Sequence, residues 1–120
     1  MNKIISDTLK DLGITPGMHG YDYLRYAIKL TIDSPEIAYM LTKRIYPDVA
    51  KHFNSTPARV ERAMRHSITI AWDEPYNCAR DSIFRGTIRA AIGKPTNGAF
   101  IATVADYLIT ERKVSHDTAC

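Results

Sequence analysis

Apolar side chains in this chain recur at three- and four-residue intervals, the repeat of a helix with one buried face. Nowhere do they alternate in a sustained way, as a half-buried strand would require. Ile4, Ile5, Thr8, Leu9 and Leu12 mark a first helix over residues 2–12, and Gly13 follows as its stop. Thr15-Pro16-Gly17 is a turn. A second helix over about 20–32 carries Tyr21, Leu24, Ile28 and Leu30 or Thr31. Asp33 or Ser34 caps the next, with Pro35 in its first turn, where a missing N–H costs nothing, and Ile37, Met40, Leu41 and Ile45 on its stripe. Pro47 starts a further helix through Phe53, and a longer one follows to about Trp72. Residues 73–98 are the least regular, with one or two short helical turns over 78–92 broken by Gly86 and Gly93. Thr96 or Asn97 caps a final helix on the stripe Phe100, Ile101, Val104, Ala105 and Leu108. The expected fold is all-α, about six helices in a single domain spanning 1–120.

Within that pattern, residues 46–72 fit a helix-turn-helix. Two short helices that cross steeply need a small residue where their backbones approach, and Ala50 stands there. Four residues later the turn requires a left-handed backbone, which asparagine tolerates better than most residues, and Asn54 occupies that place. Val60 is placed to bury against the first helix, with Val49, Phe53, Ala63 and Met64 completing the contact. Thr56 and Pro57 suit the cap and first position of the second helix. Ala58, Arg59, Glu61, Arg62 and Arg65 are left facing outward on its first two turns. These are the positions that meet base edges when such a helix, here 57–72, lies in the major groove of double-stranded DNA. Arginine pairs bidentately with guanine O6 and N7, and a carboxylate accepts from cytosine N4. Lys43, Arg44, Lys51 and His52 are placed for phosphate contacts, which orient a protein without reading sequence.

Charge supports this placement through its distribution. The net charge is only +3, yet residues 43–66 hold six basic and two acidic residues, leaving the rest of the chain at −1. At 45% apolar and 24% charged, the composition is that of an ordinary globular domain. No apolar run approaches the ~20 residues of a membrane span. Asp7 comes too early for a secretory signal, and Cys78 and Cys120 match neither a zinc spacing nor CxxC. The expected setting is therefore cytoplasmic and associated with the nucleoid, with no membrane partner. His19, His52, His66 and His116 lack ligand spacing, so neither metal nor cofactor is expected. Asp22, Asp33, Asp73, Glu74 and Asp81 form no recognisable acid/base pair, and no phosphate loop or nucleophile elbow occurs. An enzyme is not expected.

Tyr46-Pro47-Asp48-Val49-Ala50-Lys51, then residues 57–66 and Ala71-Trp72, closely resemble the DNA-binding effector domain of the stage-zero sporulation response regulator of endospore-forming Firmicutes. The likeness extends to Gly20-Tyr21, Tyr23-Leu24-Arg25, Lys94-Pro95-Thr96-Asn97, Phe100-Ile101-Ala102 and Val104-Ala105-Asp106. It implies a six-helix transcription-regulating domain that binds a TGTCGAA-like box, often as tandem copies whose last helices help them associate. By position, Arg59, Glu61 and Arg62 match the family's base-contacting residues. Arg65, His66 and Lys113 match residues near the DNA backbone. The family's surface for the RNA polymerase sigma subunit maps to about 73–91, where Phe84 and Thr87 are retained. Pro75, Tyr76, Cys78, Arg80, Arg85 and Arg89 make that stretch more basic than the family pattern, which puts activation through sigma in question.

The family also carries a receiver domain, for which 120 residues leave no room. The chain is then either a fragment or a stand-alone effector. The rival expectation is accordingly an antagonist, or a protein-interaction module, that does not activate transcription.

Overall fold

The structure, a computed structural model, describes residues 2–85 and 93–111. Among these it contains six α-helices and no strand: α1 (Asn2–Asp11), α2 (Gly20–Asp33), α3 (Tyr46–His52), α4 (Pro57–Trp72), α5 (Cys78–Ile83) and α6 (Asn97–Glu111). The all-α expectation holds.

α1 ends as its sequence dictates. Gly13 takes φ 94°, its N–H donates to the Lys10 carbonyl, and the Ile14 N–H reaches back to Leu9. This is a Schellman closure, in which the residue after the glycine packs on the last helical turn. Leu9 and Ile14 are accordingly both fully buried. α2 is the central element, packed against α1, α4 and α6 through Tyr21, Leu24, Ala27, Ile28 and Thr31. Thr31 remains in the stripe because its hydroxyl donates to the Ala27 carbonyl at 2.9 Å, which satisfies the one polar group buried there. All five residues of the expected α6 stripe are buried. Fully burying a side chain of the size of Leu108 or Ile101 stabilises the fold by about 1.5–3 kcal/mol.

α2 and α4 meet at Gly20. Its N–H donates to Ser67 Oγ at 3.0 Å, with Ser67 itself buried. A methyl group at this glycine would lie 2.5 Å from Ser67 Oγ and 2.9 Å from the Ala63 carbonyl carbon. The Ala63 carbonyl therefore lies against the start of α2.

The third expected helix does not form as one unit. Pro35–Tyr39 is a 3₁₀ stretch and Leu41–Ile45 is π-helical, with Met40 at φ −118°, ψ 47° between them. Pro47 supplies the reason for the π-helical part, because in a regular helix its ring would strike the carbonyl four residues back. The preceding turn is widened instead, so that the N–H groups of Ile45 and Tyr46 donate to Met40 and Leu41, five residues back. Ile45 and Tyr46 are both right-handed helical, so the chain runs from Leu41 into α3 without a break. Ile37 and Ile45 reach the core as their spacing predicts, whereas Met40 is left exposed.

Candidate nucleic-acid interface

The turn between α3 and α4 has the conformation its sequence requires. Asn54 adopts φ 54° and is, among the described residues, the one non-glycine with positive φ. Ala50, Val49, Val60 and Met64 are buried where the two helices meet. Thr56 is extended, and its Oγ1 accepts the Arg59 N–H at 3.2 Å, with Pro57 next in line. Asn54→Val is expected to lower stability by about 1–2 kcal/mol in urea denaturation, because a β-branched residue resists the left-handed region. Asn54→Gly should be close to neutral. A Val variant as stable as the parent would mean that the turn has another conformation.

Aromatic rings brace the turn from α2. Phe53 packs edge-on against Tyr23 at 5.4 Å and Tyr26 at 5.7 Å, and the Tyr23 hydroxyl donates to Ser55 Oγ at 3.2 Å. His52 lies flat on Tyr26 at 3.9 Å. One face of this expected phosphate contact is thus committed to packing, although the residue as a whole remains exposed.

The outward side of α4 carries two adjacent rows. Arg59, Arg62 and His66 share one by their spacing of three and four residues, and Ala58, Glu61 and Arg65 share the other. Arg59, Arg62 and Ala63 line a groove with His66, and its far wall is His19 and Tyr23 from the start of α2. His19 and Tyr23 were not expected beside the recognition helix, since nothing local in sequence connects residues so far apart. The second row faces the segment leading into α6, in a groove that holds Glu61, Arg65, Tyr46, Lys94 and Asn97.

Charge is distributed differently over the two rows. Arg59 and Arg62 are exposed and form no ion pair among the described residues. Glu61 is held by Arg65 in a two-point contact, Nε to Oε2 at 2.9 Å and Nη2 to Oε1 at 3.4 Å. That contact raises the Arg65 pKa above its ordinary value, chiefly through the hydrogen bond and then through the carboxylate charge. The Glu61 carbonyl accepts from Asn97 Nδ2 at 3.0 Å, and the same amide donates to Tyr46 Oη at 3.0 Å. Burial pushes the Tyr46 phenol up, opposed by the Asn97 hydrogen bond, so it stays a neutral hydroxyl. Thr96 caps α6 by accepting the Ala99 N–H, which leaves Asn97 free for this role. Lys94 Nζ donates to Thr69 Oγ1 and fastens the segment to the same side of α4.

Lys43 and Lys51 are exposed, and Arg44 pairs with Asp48 at 3.4 Å one turn away. Phe84, expected on a sigma-facing surface, is only 5% exposed. Its ring is committed to Trp72 at 5.1 Å and Phe100 at 5.6 Å, so it supports that region from within and offers no outward contact. Arg80 is also turned inward, over the Trp72 ring and onto the carbonyls of Glu74 and Pro75, and adds little to the basic surface expected there. Thr87 and Lys113 lie outside the described residues.

A model of the family described as sporulation initiation factor Spo0A, C terminal, matches residues 5–108, which include the helix-turn-helix and nearly all of α6. The chain belongs to this family. The Spo0A C-terminal family is one of helical DNA-binding domains in sporulation control, in agreement with the two-helix unit, its left-handed Asn54 and the outward arginines of α4. No helix among the described residues is long and apolar enough to cross a membrane. Among those residues no three His, Cys, Asp or Glu side chains converge as a metal site.

Proposed function

We propose that this chain reads double-stranded DNA sequence-specifically as a transcription regulator of the sporulation-initiation type, with α4 in the major groove of a TGTCGAA-like box. The observation that carries the reading is the presentation of Arg59 and Arg62. Both stand exposed and, among the described residues, without an ion pair on the first two turns of a capped helix that follows a left-handed turn. An unpaired guanidinium keeps its whole donor fork for guanine O6 and N7. Glu61 is the partner for a cytosine amino group, and Ala58 leaves the groove floor open beside it. Lys43, Arg44, Lys51 and His52, which precede α4, and His66 on α4 itself are the phosphate contacts that set its register.

Binding of the protein to a duplex holding the box and to a scrambled duplex, each titrated with salt, tests this directly. The box is expected to bind tighter by roughly 10²-fold or more, the sum of two or three base-edge pairs. Affinity for both duplexes should fall linearly on a log–log plot as salt rises. Weak, equal binding to the two sequences would overturn the reading and leave the helix-turn-helix as a structural unit only.

A further inference from the structure

Arg65 stands at an outward position of α4, where an arginine is ordinarily read as a phosphate contact. We propose that it is instead a positioning residue for Glu61, and that with Asn97 it makes Glu61 the most rigidly held base reader of the site. This rests on the DNA-reading function proposed above and assigns how one part of that reading is achieved.

Three observations carry it. Arg65 meets both carboxylate oxygens of Glu61, at 2.9 and 3.4 Å, which fixes the plane of the carboxylate as well as its position. Asn97 Nδ2 holds the backbone carbonyl of the same residue at 3.0 Å, so Glu61 is fixed at both its main chain and its side-chain tip. Asn97 is itself buried and tied to the buried Tyr46, so this anchor belongs to the core and does not drift with the surface. Among the described residues, Arg59 and Arg62 on the neighbouring row have no comparable restraint.

The chemistry gives the arrangement a purpose. A carboxylate has about four acceptor sites on its two oxygens. Arg65 occupies one on each, leaving acceptor capacity for a cytosine amino group. A restrained carboxylate also rejects a base that offers an acceptor at that place, because it cannot swing away from the resulting repulsion. Arg65 then contributes to discrimination at the base pair Glu61 reads, and little to the general attraction for DNA.

The test compares the parent protein with Arg65→Ala, Arg65→Lys and Glu61→Gln on a set of duplexes in which each base pair of the box is replaced in turn, over a range of salt. The Arg65 side chain is exposed and its described hydrogen bonds go to Glu61, and melting curves check that each variant is folded. Arg65→Ala is expected to flatten the preference at one base pair by about tenfold. That base pair should be the one at which Glu61→Gln also loses preference, while preferences elsewhere and the salt slope stay as in the parent. Arg65→Lys, which keeps the charge but not the two-point contact, should recover only part of the lost preference. A uniform loss on every duplex with the salt slope reduced by about one would make Arg65 a phosphate contact and overturn the proposal. Unchanged preference in Arg65→Ala would overturn it equally. If the parent shows no preference at any base pair, it is the DNA-reading function that fails, a result visible before any variant is measured.

Discussion

Gly20→Ala is expected to lower the thermal midpoint by on the order of 10 °C, the largest effect of a methyl group added at any of the described glycines. The added carbon would sit 2.5 Å from Ser67 Oγ and 2.9 Å from the Ala63 carbonyl carbon, and closer still to its oxygen. Two of those three atoms are helix backbone, which cannot rotate out of the way as a side-chain tip can. Relief requires α2 and α4 to separate, and α2 packs on α1 and α6 as well. Overpacking of a tight core costs about 1–3 kcal/mol and sometimes more. The buried hydrogen bond from the Gly20 N–H to Ser67 Oγ would be stretched at the same time. A loss of ~3 kcal/mol corresponds to roughly 10 °C in a domain of this size. Gly17→Ala is the control, since nothing lies within 4 Å of a methyl group there. Equal melting of the two variants would mean that the α2–α4 approach is looser than described.

Arg62→Ala should have the largest effect on recognition. Arg62 sits at the middle of the outward side of α4, exposed and without an ion pair among the described residues. Its loss is expected to cost about 1–3 kcal/mol on the TGTCGAA-like box, or roughly 5- to 150-fold in affinity. On a scrambled duplex the loss should be small, because a guanidinium aimed at base edges neutralises little phosphate charge. Lys51→Ala is the opposite case and should weaken every duplex alike while reducing the salt slope by about one. Undiminished discrimination by the Arg62 variant would remove α4 from the proposed role.

Much of this architecture was legible because it is governed locally. Gly13, Asn54 and Thr56 each answer a backbone requirement set by their immediate neighbours, and each takes the expected conformation. The α6 stripe was legible for the same reason, since a three- and four-residue repeat is all that burial on one face demands. The π-helical turn before Pro47 is hidden in the sequence because a proline there is also the ordinary start signal of the next helix, and its steric effect falls on the turn that precedes it. The Glu61–Arg65 pair has a signal, the acidic residue four places before the basic one, but the same two outward positions suit base or phosphate contacts equally well. Asn97 has none. Its two partners lie 51 and 36 residues away, and a buried amide that joins three elements leaves no periodicity behind. Phe84 was assigned outward on resemblance alone, and its burial follows from two aromatic neighbours distant in sequence.

The braced turn between α3 and α4 has one more consequence. Phe53 is gripped by Tyr23 and Tyr26, Ser55 is tied to Tyr23, and Thr56 closes the start of α4. The angle between the two helices is therefore set before any duplex arrives, and little ordering of the protein remains to oppose association. On the proposed reading, a stiff reader transfers the burden of adjustment to its partner, so the double helix must bend or twist to fit. Bases that no side chain touches then influence affinity through how readily their steps deform. Two promoters with identical boxes but different flanking steps would be ranked differently by this domain, and the ranking would follow the mechanics of the DNA.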